Sequence, residues 1–379
     1  MSPAIRNLST TNSQHNSNSF TYRLSAASSP KRAPARVPQY GKDYWNLAST
    51  HANPSPPYLS STKRDSGEDA FFASTIGGSK HNVAFGVADG VGGWADSGVD
   101  PSIYSQALCG LMAGTSYIHE GWASGNTFKP RDLLQTAYDA VMQNPRIEAG
   151  GCTASLAIAD AEGRMVTANL GDSGFLVLSP GKVVHRSTSQ THAFNTPYQF
   201  SKLTPRMQAQ QYIFGGTEHF SETPADADET LYDLKHGDIV LFATDGVWDN
   251  LSAQDTLAIA TKVMQDAGYW SKPQGSSSSS NETIQDDARI RALPTIINDS
   301  NSESYLPGLL SKAVMREAKV TGLDRKRNGP FAKEVRQRYP SEGWVGGKPD
   351  DIAVVVCIAV QGEAEQATDG GSAGIKAKL

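Results

Sequence analysis

The chain has 379 residues, of which 38% are hydrophobic and 19% charged, with 35 Gly and 20 Pro. That composition suits a large globular domain and excludes wholesale disorder and collagen-like repetition. The net charge of −5 is uneven, because residues 1–42 hold Arg6, Arg23, Lys31, Arg32, Arg36 and Lys42 and no acid, which leaves an acidic body. An acidic body argues against a nucleic-acid partner, whose binding depends on neutralising phosphates. The longest apolar run, residues 352–360, is too short to span a bilayer, so no membrane segment is expected.

Residues 1–42, rich in Ser, Asn and Arg, have the composition of a mitochondrial transit peptide. They lack a strong Leu/Phe face and gain prolines from Pro30 onward, so a disordered basic tail is the alternative, and composition alone leaves both readings open. Residues 43–62 read as a Pro/Ser-rich linker, and the globular domain is expected over residues 63–360. Its first two strands lie around Phe71 and Phe72 and over residues 82–88, joined at Gly77-Gly78. Helices are expected over 101–119 and, from the spacing of Leu133, Leu134, Ala137, Tyr138 and Val141, over 130–143. Short strands follow at 152–159, 164–170, 174–179 and 183–186, divided by hairpin signals.

Residues 239–244 and 352–360 are continuously apolar, as in strands buried on both faces. Between them, residues 273–304 read as a disordered polar insertion, a helix is expected over 305–320, and 361–379 read as a flexible tail. Cys109, Cys152 and Cys357 form no Cys-x-x-Cys pair and lie in apolar or small-residue contexts, as buried thiols in a reducing compartment do. No hydrophobic heptad argues for association, so a monomer is the default.

The informative feature is where acids fall relative to strands. Asp89 directly follows the strand at 82–88, and Asp245 directly follows the strand at 239–244; each begins an Asp-Gly-Val sequence. Asp350 and Asp351 precede the strand at 352–360, Asp172 ends another, and Glu68 and Asp69 open the first. Carboxylates converging on one sheet edge repel unless hard divalent cations such as magnesium or manganese offset the charge. Taken singly, an Asp beside Gly at a strand end is ordinarily a turn-former, and Glu68-Asp69 is ordinarily surface charge. The spacing alone leaves both readings open.

The set Arg64-x-x-x-Glu68-Asp69, Asp89-Gly90-x-Gly92-Gly93, Gly151-Cys-Thr-Ala154, Asn169-x-Gly171-Asp172-Ser173, Asp245-Gly246-Val-Trp-Asp249 and Lys348-Pro-Asp-Asp351 resembles, in order, the metal-dependent protein phosphatase family, protein phosphatase 2C. Residues 190–197 and Val91 resemble its mitochondrial branch. The resemblance implies an α+β fold, two antiparallel sheets packed as a sandwich between helices in αββα layers. It also implies two divalent cations, Mg2+ or Mn2+, with a weaker third. Asp89 would bridge both ions, the Gly90 carbonyl would hold one, and Asp245 and Asp350 would ligate the second. Glu68 and Asp69 would act through metal-bound water, and Asp172 and Asp249 are candidates for the third ion. Arg64 would bind the substrate phosphate. A hydroxide bridging the metals would attack phosphorus in line, hydrolysing phosphoserine or phosphothreonine on proteins of the mitochondrial matrix.

One position departs from the pattern. Many members carry His after Asp-Gly to protonate the leaving alkoxide, whereas Val91 can neither donate nor accept a proton. Val91 motivates a rival reading, a pseudophosphatase used as a binding module. The full carboxylate set opposes it. A third reading is a hydrolase of small phosphoesters. Residues 187–222 read as a flap near the site carrying substrate contacts.

Overall fold

A computed structural model describes residues 19–32, 58–119, 128–214, 220–272, 283–294 and 305–362. Strand β1 (Phe20–Ser29) is followed by β2 (Leu59–Ser60), the one-turn helix α1 (Lys63–Ser66), β3 (Ala70–Ile76) and β4 (Ser79–Ala88). Helices α2 (Pro101–Ile118) and α3 (Pro130–Gln143) each start on proline, which lacks the N–H that a first helical position leaves unpaired. Next come β5 (Gly150–Cys152), β6 (Ala154–Ala159), β7 (Arg164–Leu170), β8 (Gly174–Ser179) and β9 (Lys182–Arg186). The small strands β10 (Thr191–Ala193), β11 (Thr196–Pro197) and β12 (Phe200–Lys202) and helix α4 (Pro205–Phe214) form an excursion before β13 (Asp228–Asp233) and β14 (Ile239–Ala243). After them run α5 (Asp245–Trp248), α6 (Ala253–Asp266), β15 (Trp270–Ser271), β16 (Ile284–Gln285), α7 (Asp287–Arg291), α8 (Leu306–Leu323), α9 (Pro330–Arg338) and β17 (Ile352–Gln361).

Two antiparallel sheets dominate, ordered β1-β17-β14-β8-β9 and β13-β7-β6-β4-β3-β2. Alternate residues of the central strands serve two different cores. Ala353, Val355, Cys357 and Ala359 of β17 face Phe71, Phe85 and Val87 of the other sheet. Ile352, Val354, Val356 and Ile358 instead pack against Leu310, Val314 and Ala318 of α8 and Met264 of α6. The second sheet repeats the arrangement, burying Phe72, Ala84 and Leu156 against Leu108 and Met112 of α2 and Leu133 of α3. A strand covered by a sheet on one face and helices on the other has no polar face, which is why β14 and β17 read as unbroken apolar runs. The expected α+β sandwich in αββα layers is therefore the observed architecture. Among the described residues, no helix is long and apolar enough to cross a membrane.

Three boundaries differ from the sequence expectation. The folded unit does not begin at Lys63, because β1 pairs along its whole length with β17, from Phe20 opposite Gln361 to Ser29 opposite Ile352. Phe20, Tyr22, Leu24 and Ala26 alternate into the intersheet core, a period-2 signal masked by the surrounding Ser, Asn and Arg. Arg23, counted among the basic leader charges, is buried and donates from Nε to the Leu293 carbonyl at 2.9 Å. Strand β2 likewise takes Leu59 and Ser60 from the expected linker. Residues 283–294 of the expected disordered insertion form β16 and α7 and bury Ile290 and Leu293 against the helical core. The remainder of that insertion (273–282 and 295–304), residues 1–18, residues 33–57 and the tail beyond 362 lie outside the described residues.

A chain beginning at residue 43 lacks all of β1 and is expected to be recovered unfolded or aggregated, while one beginning at Ser19 melts cooperatively. Leu24→Ala, at a site with no exposure, should cost about 2–5 kcal/mol. Circular dichroism melts of the three proteins check this; a residue-43 chain as stable as the longer one would contradict the placement of β1.

Candidate active site

Strand registry brings the acidic motifs to one end of the sandwich. Ala70 lies opposite Ala88, so Asp69 and Asp89 flank the same rung of the β3–β4 ladder. Ala154 lies opposite Leu170 and Ala243 opposite both Gly174 and Val354, which sets Thr153, Asp172, Thr244 and the 350–351 pair just beyond neighbouring strand ends. The result is a cavity of about 390 Å³ whose lining includes Glu68, Asp69, Asp89, Gly90, Val91, Asp172, Asp245, Asp350 and Asp351. Lys31, Thr153, Asn195, Gln199 and Lys348 line it too.

Short polar links hold these groups in place. Thr153 N–H donates to the Asp89 carbonyl at 2.9 Å, the Asp89 N–H donates back to Thr153 Oγ1 at 3.1 Å, and that hydroxyl pairs with Ser173 at 2.8 Å. Thr244 Oγ1 donates to Asp69 Oδ2 at 2.7 Å and accepts from Ala353 N–H at 3.0 Å, tying the two sheets together beside the acids. Gly90 donates to the Glu68 carbonyl at 3.2 Å, and a Cβ there would sit 2.6 Å from that oxygen. A Cβ on Gly246 would collide with the Asp351 carbonyl. Only glycine lets the chain pass so close at either point. Asp351 is spent on backbone, accepting from the Glu68 N–H at 3.0 Å and from the Lys31 N–H.

The site carries more negative charge than the protein neutralises. Burial, followed by Asp69, Asp245 and Asp172, pushes the Asp89 carboxyl well above the usual carboxylate range. Burial and Asp351 do the same to Asp69. Asp172 is pushed up to about 7 by burial and Asp245, and Asp249 is raised by burial and Asp245. Burial also raises Asp350, with Asp245 adding to it, and Glu68, with Asp351 adding to it. Asp245 alone goes the other way: burial works against its ionisation, but the Lys348 ammonium together with hydrogen bonds from Asp89 and Asp249 outweighs that and holds the group below its ordinary value. Lys348 Nζ stands 2.7 Å from Asp245, 2.6 Å from Asp249 and 3.2 Å from Asp350. Among the described residues, no three His, Cys, Asp or Glu side chains are gathered around one point in ion-holding geometry; the lysine stands between them.

No family model matches the chain. Curated relatives do. It is 35% identical over 302 residues to the human protein phosphatase PTC7 homolog, spanning 78% of this chain and 80% of that protein. It is 31% identical over 340 residues to the Saccharomyces cerevisiae protein phosphatase 2C homolog 7, mitochondrial, spanning 89% of this chain and 82% of that one. The chain belongs to the protein phosphatase 2C family, in the branch of the PTC7 homologues. It is a protein phosphatase. The X-ray structure of the photosystem II phosphatase PBCP has the same fold, with a TM-score of 0.56 at 22% identity over 89% of this chain and 98% of that one.

Of the phosphatase's candidate residues, Glu68, Asp69, Asp89, Gly90, Asp172, Asp245 and Asp350 line the cavity. Asp249 joins them through Lys348. Arg64 does not: it is exposed on the single turn of α1 and outside the cavity lining. Sequence reasoning missed Lys31, Lys348 and Thr244. Lys31 reaches the cavity only because β1 belongs to the sheet, so nothing local in the sequence marks it. Lys348 stood inside a quoted motif, but a lysine two residues before an Asp pair reads as surface charge.

A carboxyl raised in the folded state binds protons more tightly there than when unfolded, so its stabilising contribution is complete at low pH and is lost as pH rises through the folded value. In chelator, wild type should therefore lose stability relative to Asp172→Asn as pH climbs from the ordinary carboxylate range through about 7. Paired thermal melts across that window test the sign; a difference that grows in favour of wild type would contradict it.

Proposed function

We propose that this phosphatase is a metal-dependent serine/threonine protein phosphatase acting on phosphoserine and phosphothreonine of proteins in the mitochondrial matrix. One observation carries the reading: carboxyl groups from both sheets converge on a single cavity, and burial together with mutual repulsion pushes most of them up. The donors are oxygens alone, with no His or Cys in the lining, a set that suits magnesium or manganese. Asp89 and the Gly90 carbonyl would hold one cation, and Asp89, Asp245 and Asp350 a second. Glu68 and Asp69 would act through water, and Asp172 and Asp249 would serve a weaker third. When bound, such cations lower the pKa of a coordinated water and neutralise the phosphoryl group, so hydrolysis needs no covalent phosphoenzyme.

The chain's own residues set up that chemistry. Thr244 orients Asp69, Thr153 fixes the Asp89 backbone, and Asp351 anchors the Glu68 turn. Arg64 meets the substrate phosphate from outside the cavity, where its planar fork matches phosphate oxygens. Lys31, whose side chain is 53% exposed while pairing with Asp350 at 3.3 Å, adds positive charge at the same mouth. Val91 lines the cavity and supplies no proton, so the leaving alkoxide takes its proton from elsewhere. The yeast relative's mitochondrial designation supports the mitochondrion. Leader cleavage must then fall before Phe20, since later cleavage removes β1.

The test is phosphate release from a phosphothreonine peptide by the chain beginning at Ser19, with manganese, magnesium or EDTA. Release should require the metal and fall by roughly 10²-fold or more in Asp245→Asn. No release from a folded, metal-loaded protein would favour the pseudophosphatase, and equal activity in the mutant would overturn the site. After import into isolated mitochondria, a mature chain starting beyond Phe20 would overturn the leader boundary.

A further inference from the structure

Lys348 is placed deliberately by its surroundings. Asn250 clamps its backbone, donating from Nδ2 to the Lys348 carbonyl at 2.9 Å and accepting its N–H at Oδ1 at 3.0 Å. The side chain, only 16% exposed, runs inward with its ammonium 5.2 Å from the centre of the Phe331 ring. At its tip it meets three carboxylates and, at 3.2 Å, Asn195 Oδ1 on the β10–β11 turn. Asn195 is the sole non-glycine residue with positive φ among the described residues, at 53°. A side chain in that region is uncommon; here its amide oxygen completes the lysine's cage.

The oxygens facing Nζ are Asp245 Oδ2, Asp249 Oδ2 and Asp350 Oδ2, and Asp245 and Asp350 are the proposed ligands of the second cation. An ion bound to those oxygens at roughly 2.0–2.2 Å leaves no room for an ammonium at hydrogen-bond distance from them. Two cations there would also repel. We propose that Lys348 is a tethered counter-cation: it holds Asp245, Asp249 and Asp350 together in the metal-free chain, and a divalent ion must displace it to bind. This rests on the metal reading above and adds to it a built-in competitor that weakens metal affinity while keeping the empty site assembled.

Manganese titration calorimetry and thermal melts on wild type, Lys348→Met and Lys348→Arg test the proposal. Methionine keeps the length and removes the charge, so the Lys348→Met protein should bind manganese about tenfold or more tightly and melt earlier than wild type in EDTA. Lys348→Arg, retaining the charge, should resemble wild type in both. A Lys348→Met protein that binds manganese equally or more weakly than wild type overturns the lysine's role. Wild type that takes up no manganese at all overturns the metal reading and this proposal with it. Wild-type protein supplies a second readout that needs no variant: acetylation of Lys348 by acetic anhydride, followed by mass spectrometry, should be several-fold faster with manganese than with EDTA. An unchanged or slower rate overturns the displacement.

Discussion

The structure is organised around the electrostatic cost of holding carboxylates together at one end of a sandwich. Two like charges about 4 Å apart repel by about 4 kcal/mol at an effective dielectric near 20, and this cavity gathers seven acids in its lining. The protein offsets part of that with Lys348 and Lys31 and part by raising carboxyl pKa values, Asp172 to about 7. What remains is an attraction for cations that the fold keeps in place.

Rigidity makes that possible. Acids on loose segments would move apart, but here each lies within a residue or two of a strand whose two faces are both buried. Glycines at 90 and 246 permit approaches that a single methyl group would block. Thr244 and Thr153 spend their hydroxyls on orientation, not on substrate. The N-terminal strand shares in this, since β1 completes the edge beside β17 and ends where Lys31 enters the cavity. Loss of β1 would therefore damage the core and the site together.

Much of this was legible in the sequence. Continuous apolar runs identified β14 and β17 because both faces of those strands are covered. Asp89, Asp245 and the Asp350-Asp351 pair stood out at the ends of apolar runs and all line the cavity, while the roles proposed for them rest on the motif resemblance. What was missed depended on distant chain. β1 alternates Phe, Tyr, Leu and Ala correctly, yet its Ser-rich setting resembles a leader and its partner lies more than 300 residues away. Residues 283–294 contribute two buried side chains to a core that no local pattern reveals. Arg64 entered the set through motif order alone, and the structure leaves it exposed outside the cavity lining.

The central claim is that these carboxylates form a two-cation site. The most direct measurement is anomalous diffraction at the manganese edge from crystals of the chain grown with manganese. The claim predicts two peaks inside the cavity, one beside Asp89 and Gly90 and the other beside Asp89, Asp245 and Asp350, with the Lys348 ammonium moved away. Peaks confined to the surface, or a cavity still bridged by Lys348 in manganese-soaked crystals, would contradict it.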